Sequence, residues 1–184
     1  MEELIITNMD MNSDYKQVVS WDETFKDNES YKTIREYILE DFIYHNLAEV
    51  IKVNYEEYFI GDNERHYCLA IKDKDIVAGF IIASEFDLQT DSPTLFLQYI
   101  VLSPVYQAKG HGASILKRLI YNEDNLLEKN PASVFSYIER GNFPSQKIYI
   151  ENGFGFEIKR SAEGKLTNYL LAEKHILTNE DTKE

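Results

Sequence analysis

The chain has 184 residues, 43% hydrophobic and 28% charged, the balance of a single soluble globular domain. Lys and Arg number 19 against 32 Asp and Glu, a formal net charge of -13. That argues against nucleic acid and anionic membranes as partners, since affinity for both comes from basic side chains meeting phosphate. The same field attracts cations, although net charge alone does not define a site. One cysteine, Cys68, excludes an intramolecular disulfide. The opening MEELIITNMDMNSDYK is acidic and lacks the apolar run of a secretory signal. No stretch approaches the ~20 apolar residues of a membrane span, so a cytoplasmic protein is the expectation.

In chain order, Leu4 to Ile6 reads as a first strand and Val18 to Lys26 as a short helix. Tyr31 to Tyr58 is largely helical in pattern, with Ile34, Tyr37, Ile38 and Phe42 recurring at spacings of three and four. Asn54 is the expected break in it, and of Tyr37, Tyr44, Tyr55 and Tyr58 most are expected in the core, with one or two lining a cleft. After Gly61-Asp62-Asn63, Tyr67 to Lys72 and Ile76 to Ser84 are rich in strand formers, and Lys72-Asp73-Lys74-Asp75 between them reads as a hairpin turn without the usual glycine. Asp91-Ser92-Pro93 marks another turn. Leu95 to Leu102 is a strand with a nearly continuous apolar end, as expected when both faces are buried. Gln107 to Leu127 reads as helix, with Ile115, Leu116, Leu119 and Ile120 on one face. Val134 to Ile138 is a strand, and Pro144 to Asn152 a short helix ended by Gly153. Phe156 to Lys159 and Leu166 to Ala172 are the last strands. No fixed-period repeat or linker interrupts the chain, so one α/β domain with a central sheet is expected over residues 1–177, with a polar tail over 178–184.

The most informative stretch runs from Leu97 to Ala113. A buried strand enters a loop, and the loop opens a helix with Gly110 and Gly112 at its start. Glycine removes Cβ, so a ligand can approach the backbone closely. The first N–H groups of a helix lack internal acceptors, and the helix dipole adds partial positive charge. Together these suit a diphosphate, and Lys109 adds a full charge. The spacing is neither a Gly-Lys-Ser/Thr phosphate loop nor the three-glycine dinucleotide fingerprint. The stretch Gln107-x-x-Gly110-x-Gly112-Ala113, after a strand ending Val101-Leu102-Ser-Pro, resembles motif A of the GNAT (GCN5-related N-acetyltransferase) family. Downstream, Asn142-Phe-Pro-Ser145-Gln-Lys-Ile-Tyr149-Ile-Glu-Asn-Gly153-Phe154 resembles motif B of the same family. Ser145 and Tyr149 are four apart and share a helix face, and Asn142 stands where a side chain can cap the helix or meet a ligand. The two motifs occur in the family's order, separated by one strand, and the resemblance is close over residues 95 to 156.

The resemblance implies a GNAT fold: a mixed, mostly antiparallel twisted sheet flanked by helices, with a splay between two neighbouring parallel strands that admits acetyl-CoA. It implies that Gln107, Ala108, Lys109, Gly110, His111, Gly112 and Ala113 hold the diphosphate, although His111 can equally face solvent. It places the backbone of Ile100, Val101 and Leu102, at a bulge, against the acyl carbonyl and pantetheine arm. Asn142 and Ser145 would contact the pantetheine side, and Tyr149 would protonate the leaving thiolate. The implied activity is N-acetyl transfer from acetyl-CoA to an amine in a ternary complex, without an acyl-enzyme. The alternative is a non-catalytic acyl-CoA binding or sensing module on the same fold.

An attacking amine has a solution pKa near ~10.4 and must lose a proton in the site. Glu85 and Glu139 are the candidate bases, with Asp87 and Gln98 nearby in the strand order. The simpler expectation for each carboxylate is ordinary solvation. Cys68 reads as packing rather than nucleophile. His45, His66, His111 and His175 are scattered, and no metal is expected. The acceptor is a small-molecule amine or a protein amino group, its identity open. Neither nucleic acid nor membrane is expected, and a homodimer is common in the family.

Overall fold

The computed structural model describes residues 4–39, 46–57, 64–160 and 166–176. The side chains of Tyr37 and Ile38, the residues Phe42, Tyr44, His45 and Tyr58, the Gly61-Asp62-Asn63 turn and the 178–184 tail lie outside the described residues. The elements are β1 (Ile5–Asn8), α1 (Asp14–Val19), α2 (Trp21–Thr24), α3 (Glu29–Leu39), α4 (Leu47–Glu57), β2 (Glu64–Asp73), β3 (Ile76–Phe86), β4 (Thr94–Leu102), a 3-10 turn at Pro104–Tyr106, α5 (His111–Ile120), β5 (Ser133–Glu139), α6 (Phe143–Glu151), β6 (Gly155–Arg160) and β7 (Leu166–His175). The strands form a seven-stranded sheet in the order β1-β2-β3-β4-β5-β7-β6. It is mostly antiparallel, with β4 and β5 as its parallel pair. This is the expected fold class. Among the described residues no helix is long and apolar enough to cross a membrane.

Two compact units divide the chain, and each has its own interior. The first comprises Met1–Ile60, His66–Ala83 and Tyr99–Gly112. Its core joins Met9, Val18, Trp21, Tyr31, Leu47, Val50, Ile51, Phe80 and Val101. Trp21 meets Phe25 and Phe80, each with ring centroids 6.3 Å away. The expected helix over Val18 to Lys26 is instead the pair α1 and α2, which bend at Ser20, whose hydroxyl bonds the Gln17 carbonyl at 2.6 Å. Helix α1 is fastened by polar contacts that its apolar pattern does not reveal. Asp14, 3% exposed, pairs with Lys72 of β2 at 2.8 Å. Gln17 bridges both sides of the β2–β3 turn, donating to Asp75 O and accepting from Val77 N, each at 2.9 Å.

That turn is Lys74-Asp75, and Lys74 takes the left-handed φ of 55° that a glycine would ordinarily supply. The long helical pattern after Tyr31 resolves into α3 and α4, so Asn54 is not the break. It lies inside α4, buried, and its side chain returns a 2.8 Å hydrogen bond to the Val50 carbonyl one turn back. That local bond lets an asparagine persist mid-helix.

The second unit comprises Gly61–Arg65, Ser84–Gln98 and Ala113–Glu184. Leu95 and Leu97 of β4, Ile115, Leu116, Leu119 and Ile120 of α5, and Val134 and Ile138 of β5 are all buried. Helix α5 stops at Ile120, short of the expected Leu127. Asn122 takes φ 48°, and its side-chain amide replaces helical bonding by accepting from Leu127 N at 3.0 Å and donating to Leu127 O at 3.3 Å. Arg118 holds the same loop by forking onto both carboxylate oxygens of Asp124, at 2.9 and 2.6 Å. The β5–β7 ladder extends β7 to His175, three residues past the expected end.

Glycine is required at residue 79. A Cβ there would lie 2.3 Å from the Val101 carbonyl oxygen and 2.9 Å from Leu102 Cδ2. In a regular ladder carbonyls lie in the plane of the sheet while Cβ atoms stand out of it. Gly79 therefore admits a close approach of the Val101 backbone that any other residue would block. Substituting Gly79→Ala should cost about 1–3 kcal/mol, because backbone rather than a flexible side chain must move. Urea unfolding measures it, and a midpoint equal to the parent's would refute the account.

Candidate functional site

In the first unit, β4 leads into a loop whose shape is set by side chains as well as by glycine. After β4, Ser103 N bonds Ala78 O at 2.8 Å, and the chain makes its 3-10 turn. The Gln107 side chain folds back to bond the Leu102 carbonyl at 2.8 Å. Tyr106 donates its hydroxyl to Asp73 Oδ2 at 2.9 Å, tying the loop to the end of β2. Burial, then this carboxylate, raises the Tyr106 pKa. Ala108 and Gly110 both take left-handed backbone, φ 55° and 80°. The chain then enters α5 at His111, with Gly112 inside its first turn.

Gly110 is exposed, and a Cβ on it would meet nothing within 4 Å. Lys109 reaches over the Tyr106 ring, its Nζ 5.6 Å from the centroid, and the His111 ring lies 6.3 Å from the same ring. The first amides of α5 lack helical acceptors. A mobile cation and a helix dipole stand on the same short segment, a combination suited to an anion.

In the second unit, Asn142 caps α6 by accepting from Ser145 N at 3.2 Å, and Pro144 fits the first turn. Tyr149 lies one turn beyond Ser145 and is 6% exposed, its ring edge-on to Phe154 with centroids 4.8 Å apart. Burial pushes its pKa up to about 12, and a hydrogen bond with Ser136 works in the opposite direction. The phenol is therefore protonated throughout the physiological range. Ser136, itself buried, donates to the Leu97 carbonyl at 2.7 Å. The β4–β5 ladder pairs Thr94–Phe96 with Ser133–Phe135, so this hydroxyl takes over where the register ends. Asn152 ties α6 to the first turn of α5 by donating to Ala113 O at 3.2 Å.

The two candidate bases differ. Glu85 is not a solvated carboxylate: it is 0% exposed and accepts from the backbone amides of Glu128 and Lys129 at 3.1 and 3.5 Å. That corrects the simpler expectation, because its charge is met by the amides of a loop, which it organises. Glu139 ends β5, partly exposed, with Tyr169 of β7 opposite. Asp87 is a turn residue at φ 61°, its carbonyl accepting from Thr90 N at 2.9 Å. Cys68 packs with its sulfur 3.8 Å from Met9 Sδ, and burial raises its pKa to about 12, so no thiolate nucleophile forms at neutral pH. His175 lies 3.6 Å from Glu173. Among the described residues no three His, Cys, Asp or Glu side chains are grouped to hold a metal ion.

The sequence profile of the acetyltransferase (GNAT) family matches residues 23–156. The chain is a member of the GNAT family. It is thus an acyltransferase. No curated protein sequence matches it significantly. Among solved structures it resembles the PaiA N-acetyltransferase of Thermoplasma acidophilum in complex with coenzyme A, at 19% identity and a TM-score of 0.56, covering 95% of this chain and 99% of that one. It also resembles the spermidine N-acetyltransferase of Vibrio cholerae in complex with CoA and spermine, at 15% identity and TM-score 0.61, covering 96% of each. The ribosomal-protein-S18-alanine N-acetyltransferase of Escherichia coli matches at 17% identity and TM-score 0.60, over 98% and 99%. At these identities the likeness is one of fold.

Gly79 and Ser136 were not singled out from sequence. A glycine inside Ile76–Phe86 signals close backbone approach, and a serine in the buried phase of Val134–Ile138 signals an internal bond. The loop itself gives a paired expectation. Gly110→Ala should destabilise by about 1 kcal/mol through backbone strain, with no clash to add to it, whereas Ala108→Gly should be neutral or stabilising. Thermal melts of this GNAT protein and both variants would show it; losses of equal size would contradict the left-handed assignment.

Proposed function

We propose that the protein transfers the acetyl group of acetyl-CoA to a primary amine by direct attack. The observation that carries this reading is the loop from Gln107 to Gly110, left-handed at Ala108 and Gly110 and opening onto the N-terminus of α5. Its chemistry fits a diphosphate: a cation at Lys109, backbone amides at a helix start, and no side chain at Gly110 to obstruct close approach. Coenzyme A bound to the PaiA and spermidine N-acetyltransferase structures supports the donor. Acceptors named for similar folds, spermidine in one and a ribosomal protein's alanine in another, support an amine without choosing its size.

In the proposed reaction the neutral amine nitrogen attacks the thioester carbonyl, the C–S bond breaks, and the amine proton leaves to a base or through water. Glu139 is the base we assign, since Glu85 is occupied by backbone amides. Tyr149 faces the departing sulfur in this reading. With a pKa raised to about 12 it is always stocked with its proton. Full transfer to a thiolate, whose acid has a pKa near ~8.5, is uphill. Its contribution is therefore a hydrogen bond that strengthens as negative charge develops on sulfur; the phenol keeps its own proton, and the departing thiolate takes one from water.

Thiol release from acetyl-CoA across an amine panel tests the reading. For Tyr149→Phe, kcat should fall about 10²-fold while KM for acetyl-CoA changes little, the pattern of an interaction made in the transition state. Acetyl-CoA binding with no thiol release from any amine would instead establish a binding module.

A further inference from the structure

Strand β5 has two unlike faces. Val134, Ser136 and Ile138 are buried, so Phe135, Tyr137 and Glu139 stand on the other side. On that side Phe135 stacks on Phe96 of β4, with centroids 4.8 Å apart and planes at 15°. Tyr137 stands edge-on to both, at 6.1 and 6.2 Å. Phe96 and Phe135 are only partly buried, and Tyr137 is 51% exposed. An aromatic triad left in contact with water calls for an occupant.

The ladder supplies the surroundings. Glu173 lies opposite Phe135, Leu171 opposite Tyr137 and Tyr169 opposite Glu139, and Glu157 of β6 lies opposite Leu171. Cross-strand partners share a face. The rings are thus bordered by Glu139, Glu157 and Glu173. One ammonium already lies among them: Lys159 Nζ is 2.8 Å from Glu157 Oε2. Glu157 is the main cause of that lysine's raised pKa, with Tyr137 and Glu173 contributing.

We propose that this face binds the acceptor, and that the acceptor is a linear aliphatic polyamine. The inference rests on the acyl-transfer reading above and names its substrate class. Charge complementarity selects the occupant: among the described residues, three glutamates face one lysine, with His175 beside Glu173, a balance that repels an acidic peptide or nucleotide and attracts a polycation. Spacing selects its shape. Glu173 is level with Phe135, and Glu139 lies four residues further along β5, about 13 Å of strand. A chain with ammonium groups near both ends places each against a carboxylate and lays its methylenes over the rings. Those rings also attract cations through their faces. A monoamine can satisfy only one end.

Calorimetry with coenzyme A present, using spermidine and butylamine as probes, tests this on the parent, Glu173→Gln and Tyr137→Leu, each checked by its melting curve. Spermidine should bind at least about tenfold more tightly than butylamine, and each variant should weaken spermidine about five- to tenfold. Equal affinities for the two amines, or a spermidine affinity indifferent to both substitutions, would overturn the proposal. So would a dimer, seen by light scattering, that Tyr137→Leu dissociates without altering spermidine affinity, since a second copy would then be the occupant. Thiol release on the same samples separates the two readings. Spermidine that binds as described but releases no thiol sinks the transfer and leaves the binding face. Thiol release from butylamine and spermidine alike, unchanged in both variants, sinks the face and leaves the transfer.

Discussion

The missing side chain at residue 79 is the constraint on which the β4–α5 loop of the first unit depends. Any Cβ there would collide with the Val101 carbonyl, an atom with no rotamer to escape by. With that space open, the β4 backbone approaches β3 closely at Val101. The loop beyond it is held by three separate bonds: Ser103 N to Ala78 O, Gln107 to the Leu102 carbonyl, and Tyr106 to Asp73. Two left-handed residues then turn the chain into α5. The non-glycine residue at φ 55° carries strain, and such strain persists only where the surroundings over-determine it. The three fastenings provide that determination, so the shape of the loop is set by the fold itself.

The second unit follows a different logic. Its reactive candidate, Tyr149, is a core residue that carries a polar handle. Burial beside Phe154 fixes the ring, and Ser136 meets the hydroxyl. A buried phenol cannot ionise cheaply, so it keeps its proton and remains a hydrogen-bond donor. Preorganised donors of this kind act without reorganising when charge develops. The same serine bonds the Leu97 carbonyl, so the orientation of the phenol and the separation of the parallel pair β4 and β5 share one hydroxyl.

The motifs that located the site were legible because they combine a short-range pattern with a chemical need. Gly110, Gly112 and Lys109 suggest an anion loop only together with the family resemblance, whereas Asn142, Pro144 and Gly153 mark the ends of α6, where the structure has them. What escaped notice depends on partners distant in sequence. Glu85 reads as a surface acid until the amides of Glu128 and Lys129 are folded onto it. Nothing near Ala108 signals a left-handed residue, since alanine is a poor choice for that conformation and tertiary contacts impose it. Periodicity also ran on where the helix did not: the apolar spacing of α5 continues to Leu127, but Asn122 offers its own backbone a competing bond and ends the helix early. Likewise Asn54 looks like a breaker only if its side chain is assumed to compete, whereas here it bonds back into its own helix.

Strand β5 shows how little sequence is needed to carry two tasks. In Ser133–Glu139 the residues alternate between faces, and each face has a consistent chemistry. One phase, Val134, Ser136 and Ile138, is apolar except for the hydroxyl that serves Tyr149. The other, Phe135, Tyr137 and Glu139, is aromatic and then acidic. A slip of one residue would exchange the two faces, putting a glutamate into the core and the serine into water. The antiparallel pairing to β7 along all seven residues of β5 opposes that slip. Register is therefore a functional quantity in this protein: it keeps the buried donor on one side of the strand and the cation-binding chemistry on the other. It also explains why an overall acidic charge says little by itself. Among the described residues, register aligns Glu139, Glu157 and Glu173 beside the rings as a group; Glu85, fully buried in β3, is committed to backbone amides instead.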